Sequence, residues 1–154
     1  MADNKSGARS RSRARGRARQ RIVQALYQWQ IAGQSASEIT AQFRDSPEHE
    51  GADDEYFGTI LAEVLRAHEE LDEELATYLD RPADQLDPVE RAVLLMGLCE
   101  LKTRIDIPYR VVLNEGVTLA RRFGAQDGQK FVNAVLDKAA ERWRSVERKA
   151  AGRT

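Results

Sequence analysis

An all-α bundle of about six to seven helices follows from three features of the sequence. Apolar residues recur at helical spacing through most of its 154 positions. No segment shows sustained strand alternation, and Pro and Gly stand at the seams between the periodic runs. A chain of this length corresponds to about one domain and can bury a core without a disulfide or a metal.

The elements can be justified in order. Residues 1–16 carry no large apolar side chain after Met1, which predicts a disordered basic arm ahead of a single helical domain over residues 17–148. Arginine occupies every odd position from 9 to 21. On a helix each step of two residues turns about 200°, so these side chains would ring the helix, whereas an extended chain would line them up on one side. Ile22, Val23, Leu26, Tyr27 and Ile31 then follow helical spacing up to Gly33. Ser35 or Ser37 caps a short helix with Ile39 and Phe43, and residues 47–51 form an acidic loop. Asp53 opens a long stretch with Phe57, Ile60, Leu61, Val64 and Leu65 on one face. It runs on through Leu71, Leu75, Tyr78 and Leu79 with an expected break near His68, and Arg81-Pro82 ends it. Asp87-Pro88-Val89-Glu90 is the clearest helix start: an acidic N-cap, Pro at the first position and Glu at the third. The helix it opens is nearly all apolar from 93 to 101 and is expected at the buried centre. Pro108 starts a helix with Tyr109, Val112, Leu113 and Leu119 that Gly124 closes. A last helix carries Phe131, Val132, Val135, Leu136 and Trp143.

Charge is segregated along the chain although the total is only −1. Residues 1–21 carry one Lys, seven Arg and one Asp, a net +7, while residues 22–90 carry three Arg against seventeen acids, a net −14. Residues 91–154 return to +6. Such asymmetry points to an interaction tail and a polyanionic partner. The apolar run from 92 to 99 is far short of a membrane span, so no membrane association is expected. No apolar stretch follows the basic start as a secretory signal requires. The single Cys99 lies among Leu and Met, which fits an inert buried thiol in a reducing cytoplasm.

Catalytic constellations are scarce. His49 lies in the acidic loop and His68 on a polar helix stretch, neither with a second ligand at metal spacing, so no metal site is expected. No phosphate-cradling Gly loop follows a strand. The acids between 63 and 74 read as a solvated helix face. No enzyme activity and no cofactor are expected.

Nucleic-acid binding is the positive signal. Arg9, Arg11, Arg13, Arg15, Arg17, Arg19 and Arg21 supply guanidiniums suited to phosphate contacts and base stacking, and basic arms of this kind order on RNA. A tail that only aids solubility is the alternative. The turn before the last helix brings Phe123, Asp127, Lys130 and Phe131 close together. Asp127 either caps that helix or accepts hydrogen bonds from base edges. Phe131 is either a core residue or, with Phe123 and beside Arg121, Arg122 and Lys130, a stacking platform for single-stranded bases. In the acidic middle, Tyr27, Leu86 and Glu90, with the turns near Asp84 and Asp87, form a face for a basic protein.

Several blocks together resemble one family. Arg19-Gln20-Arg21-Ile22-Val23-Gln24-Ala25-Leu26-Tyr27-Gln28-Trp29-Gln30 is similar to the first helix of the NusB family of transcription antitermination factors. Leu86-Asp87-Pro88-Val89-Glu90-Arg91-Ala92-Val93-Leu94 with Glu100-Leu101, and Asp106-Ile107-Pro108-Tyr109-Arg110-Val111-Val112-Leu113-Asn114-Glu115, match further blocks. So does Phe123-Gly124-Ala125 through Lys130-Phe131-Val132-Asn133-Ala134-Val135-Leu136-Asp137-Lys138. The blocks follow the family order from about residue 9 to 145. The resemblance implies a non-enzymatic, all-helical protein that pairs with NusE, a small-subunit ribosomal protein in a second role. The pair recognises boxA RNA and, with NusA, NusG and RNA polymerase, supports elongation through ribosomal RNA operons. By position, the Arg-rich arm and the Phe123, Asp127, Lys130 and Phe131 region match the RNA-contacting surface. Tyr27 and Glu90 match the NusE-facing side. Departures are Gln129, where a His is frequent, Ala134, where Gly is usual, and alternating rather than adjacent arginines. A related module occurs in ribosomal RNA cytosine methyltransferases, but no Rossmann-like region accompanies it here. A protein-interaction module is the other rival, and a homodimer capping an apolar patch stays open. The expectation is that the arm and the turn form one RNA surface beside the partner's site.

Overall fold

Helix-forming periodicity and well-placed caps produce seven α-helices and two 3-10 turns among residues 2–152, which the computed structural model describes; it contains no strand among them. The chain forms two compact units, residues 1–65 and 66–154.

In the first unit, helix α1 (Ala2–Ala32) is followed by α2 (Ala36–Arg44), a 3-10 turn (Pro47–His49) and the start of α3 (Asp54–Ala76). Gly33 donates its N–H to the Trp29 carbonyl and ends α1 in a left-handed conformation with φ 68°. Of the two candidate caps for α2, Ser35 serves: its hydroxyl accepts the Glu38 N–H at 3.2 Å. Ile22, Leu26, Ile39, Phe57, Ile60 and Leu61 are almost wholly buried. The Phe43 and Phe57 rings stack 6.2 Å apart, and His49 sets its ring edge-on to Phe57 at 4.7 Å.

The expected disorder of the arm is not what the structure displays, because α1 is helical from Ala2. Ala and Arg are strong helix formers, and a helix nucleated on packed residues propagates outward at little cost. Packing begins at Ala14, whose carbonyl accepts the Asp53 N–H at 2.9 Å.

Helix α3 also differs from expectation. It passes His68 without a break and stops at Ala76, short of Arg81. The Thr77 hydroxyl and N–H both return to the Glu74 carbonyl, and Tyr78 and Leu79 make similar three-residue bonds that tighten the end into a turn.

The second unit continues with a 3-10 turn (Ala83–Gln85), α4 (Pro88–Thr103), α5 (Tyr109–Phe123), α6 (Gly128–Trp143) and α7 (Ser145–Gly152). Asp87 caps α4 as expected, accepting the Val89 and Glu90 N–H groups at 2.9 and 3.2 Å. Every residue from 92 to 101 is buried, so α4 is the central helix of this unit. Leu136 of α6 fills the space beside Gly97 of α4 and Gly116 of α5. A Cβ at either glycine would stand 2.8 Å from a Leu136 methyl, so the three helices meet where side chains are absent. Arg144, almost fully buried, closes the far end. Its guanidinium donates to the carbonyls of Glu100, Leu101, Arg104 and Ile107 and to Glu147, satisfying the last carbonyls of α4 and the loop after it. Glu147 in turn accepts the Tyr109 N–H at 2.9 Å, capping α5, which Pro108 cannot cap with a side chain.

Candidate nucleic-acid interface

The arginine run divides into two sets. Arg9, Arg11, Arg13 and Arg17 are exposed along α1. Arg15 and Arg19 place their guanidiniums 4.6 and 5.4 Å from the Tyr56 ring centroid, and Arg19 is only 3% exposed. Arg21 lies over the Phe43 ring at 4.4 Å and donates to Ser46 at 2.6 Å and to Gln24 at 3.0 Å. Burial of Arg19 corrects the expectation that all seven face a ligand, while Arg15 and Arg21 are half-buried. In a helix the alternating spacing sends some of them inward, where cation–π contacts and hydrogen bonds hold them.

The turn between α5 and α6 is the second cationic site. Phe123, the last residue of α5, is half-buried, with Arg122 at 5.1 Å from its ring centroid. Gly124 donates to the Ala120 carbonyl at 2.8 Å and turns the chain away. Asp127 stands at the N-cap of α6 with φ 68°, the one non-glycine residue in the left-handed region among those described. Its carboxylate makes no capping bond and is exposed, which removes the capping alternative and leaves an acceptor directed at solvent. Lys130 is exposed on the first turn of α6. Phe131 is half-buried, and the guanidinium carbon of Arg81 lies 4.6 Å from its ring centroid. The ring therefore belongs wholly to neither the core nor the solvent.

Arg81 was not among the expected residues. It is one of only three arginines in the acidic middle segment, and its contact with Phe131 spans fifty positions of sequence. Its place immediately before Pro82, in a segment that must leave the helix, was the available signal.

The residues expected to face a partner are placed unevenly. Tyr27 is 43% exposed and Ile31, one helical turn on, is 64% exposed, so α1 presents an apolar strip there. Leu86 and Glu90 are buried, contrary to an outward-facing role. Glu90 completes the capping box by accepting the Asp87 N–H. Burial and the nearby Asp87 raise its pKa, against the opposing pull of Arg81 and that N–H. Its carboxylate also lies against the backbone of Gly128.

Among the described residues there is no group of three or more His, Cys, Asp or Glu placed to hold a metal ion. No helix among them is long and apolar enough to cross a membrane.

Fold and site together define an all-helical protein whose basic surfaces carry aromatic rings, the combination that suits a single-stranded polyanion. Its relatives specify this further. The model of the NusB family matches residues 16–141, and the chain belongs to that family. It is 54% identical over 130 residues to the transcription antitermination protein NusB of Paraburkholderia phymatum, covering 84% of this chain and 90% of that protein. To the NusB of Alcanivorax borkumensis it is 51% identical over 125 residues, covering 81% and 83%. Among solved structures, T. maritima NusB superposes with a TM-score of 0.75 at 27% identity, covering 82% of this chain and 90% of that one. A crystal structure of the antitermination factors NusB and NusE in complex with double-stranded RNA matches with a TM-score of 0.77 at 27% identity, covering 84% and 97%.

Proposed function

We propose that this protein is a transcription antitermination factor that binds boxA-type single-stranded RNA together with NusE and supports elongation through ribosomal RNA operons. The observation that carries the reading is the α5–α6 turn. Two half-buried Phe rings, each with an arginine at its face, flank an exposed Lys130 and an Asp127 carboxylate that no cap consumes. Rings of this kind stack bases, cations meet phosphate, and the carboxylate accepts from base N–H donors. The exposed arginines of α1 supply a second, sequence-independent phosphate contact. The half-exposed strip of Tyr27 and Ile31 suits a protein partner, and NusE is that partner by relationship to the NusB–NusE–RNA assembly. Buried Leu86 and Glu90 act on docking by shaping the start of α4. NusA, NusG and RNA polymerase complete the assembly in the cytoplasm. The protein works by binding, without catalysis, as the names of its relatives suggest.

The test compares boxA-type RNA with a scrambled oligonucleotide, each with and without NusE. Preference for boxA that sharpens when NusE is added is expected. Equal affinity for both RNAs that NusE leaves unchanged would refute the reading.

A further inference from the structure

We infer that Arg81 is an RNA-contacting residue of the α5–α6 surface, held on Phe131 so that guanidinium and ring together receive one nucleotide. The inference rests on the RNA-binding reading above and extends it to a residue from the acidic middle segment of the chain.

Three observations carry it. First, the guanidinium carbon sits 4.6 Å from the Phe131 centroid, so the cation covers the ring of the residue next to exposed Lys130. A guanidinium on an aromatic face keeps its in-plane N–H fork available for phosphate or a base edge. Second, the charge of Arg81 is lightly compensated. Its ion pair is with the adjacent Asp80 at 3.4 Å, both side chains are exposed, and such pairs contribute little. Among the described residues Glu90 also acts on it, and that carboxylate already holds the Asp87 N–H. Third, the arrangement is repeated. Arg122 lies over Phe123 at 5.1 Å, so an arginine–phenylalanine pair stands at each end of the same turn. Two such pairs, on rings eight positions apart, offer stacked cation–ring units of the kind that single-stranded nucleic acid calls for.

The backbone holds Arg81 in this position. It lies between the tightened end of α3 and Pro82, which begins the next 3-10 turn. Proline restricts the residue before it, so the chain at Arg81 is held away from helix and its side chain is set toward α6.

The experiment measures binding of the full chain and its Arg81→Ala and Arg81→Lys variants to a fluorescent boxA-type single-stranded RNA across a salt series, with thermal unfolding of each variant. Arg81→Ala is expected to bind about tenfold more weakly, within the range for loss of one stacking contact. Its log K against log salt slope should flatten by about 0.7, the value for one phosphate on a single strand. Arg81→Lys should keep the slope and recover only part of the affinity, because an ammonium cannot stack as a guanidinium does. Wild-type affinity and slope in Arg81→Ala would overturn the inference while leaving the RNA-binding reading intact. Failure of the unaltered chain to bind the RNA would overturn that reading itself. Affinities are compared well below each variant's Tm, so a change in stability does not pass for a change in binding.

Discussion

The carboxylate of Glu90 fills the space that a side chain at position 128 would need: a Cβ on Gly128 would stand 2.6 Å from Glu90 Oε1. Glu90 is locked at the third position of α4 by the reciprocal cap with Asp87, so it cannot withdraw freely. The start of α4 and the start of α6 are thereby fitted to one another.

Gly128→Ala is therefore expected to destabilise the fold by about 1 kcal/mol, because the displaced Glu90 carboxylate loses its cap while the better helix propensity of Ala offsets part of the cost. Urea unfolding measures it. In the Glu90→Ala background the same change should cost clearly less, because the two residues compete for one space. Strict additivity would show that the contact does not set the helix start.

Asp127 separates stability from recognition. A non-glycine residue in the left-handed region costs about 1–2 kcal/mol, eased for Asp. With φ 68° and no capping bond, Asp127→Gly should hold or raise stability by up to about 1 kcal/mol. The same variant should discriminate less between boxA-type and scrambled RNA, since the acceptor for base edges is gone. Thermal unfolding and RNA titration on one preparation check both halves. Unchanged discrimination would remove Asp127 from the recognition surface.

Arg144 is expected to matter for folding alone. Its guanidinium serves four backbone carbonyls and Glu147 while 3% exposed. Arg144→Met should cost about 3–5 kcal/mol, since it leaves buried carbonyls and a carboxylate without their donor. Chemical denaturation gives the loss. RNA affinity per folded molecule should be unchanged.

These examples divide what can be read from the residues from what cannot. The Asp87-Pro88-Glu90 cap and the stop at Gly124 were legible because each is settled within a few residues, and the cap of α2 was narrowed to Ser35 or Ser37. The apolar run from 93 to 101 disclosed the central helix for the same reason. Illegible were contacts joining distant segments: Arg81 on Phe131, Arg144 under the α4–α5 loop, and Glu90 against Gly128. Glu90 illustrates the difficulty. It was expected both in the capping box and on a partner-facing side; the cap is present, but packing against Gly128 holds the carboxylate inside. The inward turn of Arg19 and Arg21 was implicit in the helical step, but which arginines turned depended on where Tyr56 and Phe43 lay.

Stability should fall in acid in part through Glu74. Burial pushes its pKa up, but hydrogen bonds from Lys102, Trp143 Nε1 and the Tyr78 hydroxyl outweigh that and hold it below the usual glutamate value. A carboxylate with a depressed folded pKa contributes stability above its unfolded pKa, about 4.3, and loses it as pH falls through the folded value. Trp143→Phe, which removes one of these donors, should cost about 1 kcal/mol at neutral pH. The difference from wild type should shrink as pH drops below about 4 in a pH series of urea unfolding. A difference that persisted unchanged into strong acid would assign the loss to packing.

The most direct measurement of the central claim, that exposed basic residues of this fold bind RNA, is the salt dependence of affinity for boxA-type RNA when Arg9, Arg11 and Arg13 are replaced together by Ala. These three are exposed along α1, and none of them is among the arginines stacked on Tyr56 or Phe43. If each neutralises one phosphate, the slope of log K against log salt should flatten by about 2, with binding to every RNA weakened and Tm unchanged. Wild-type slope and affinity in the triple variant would contradict the account.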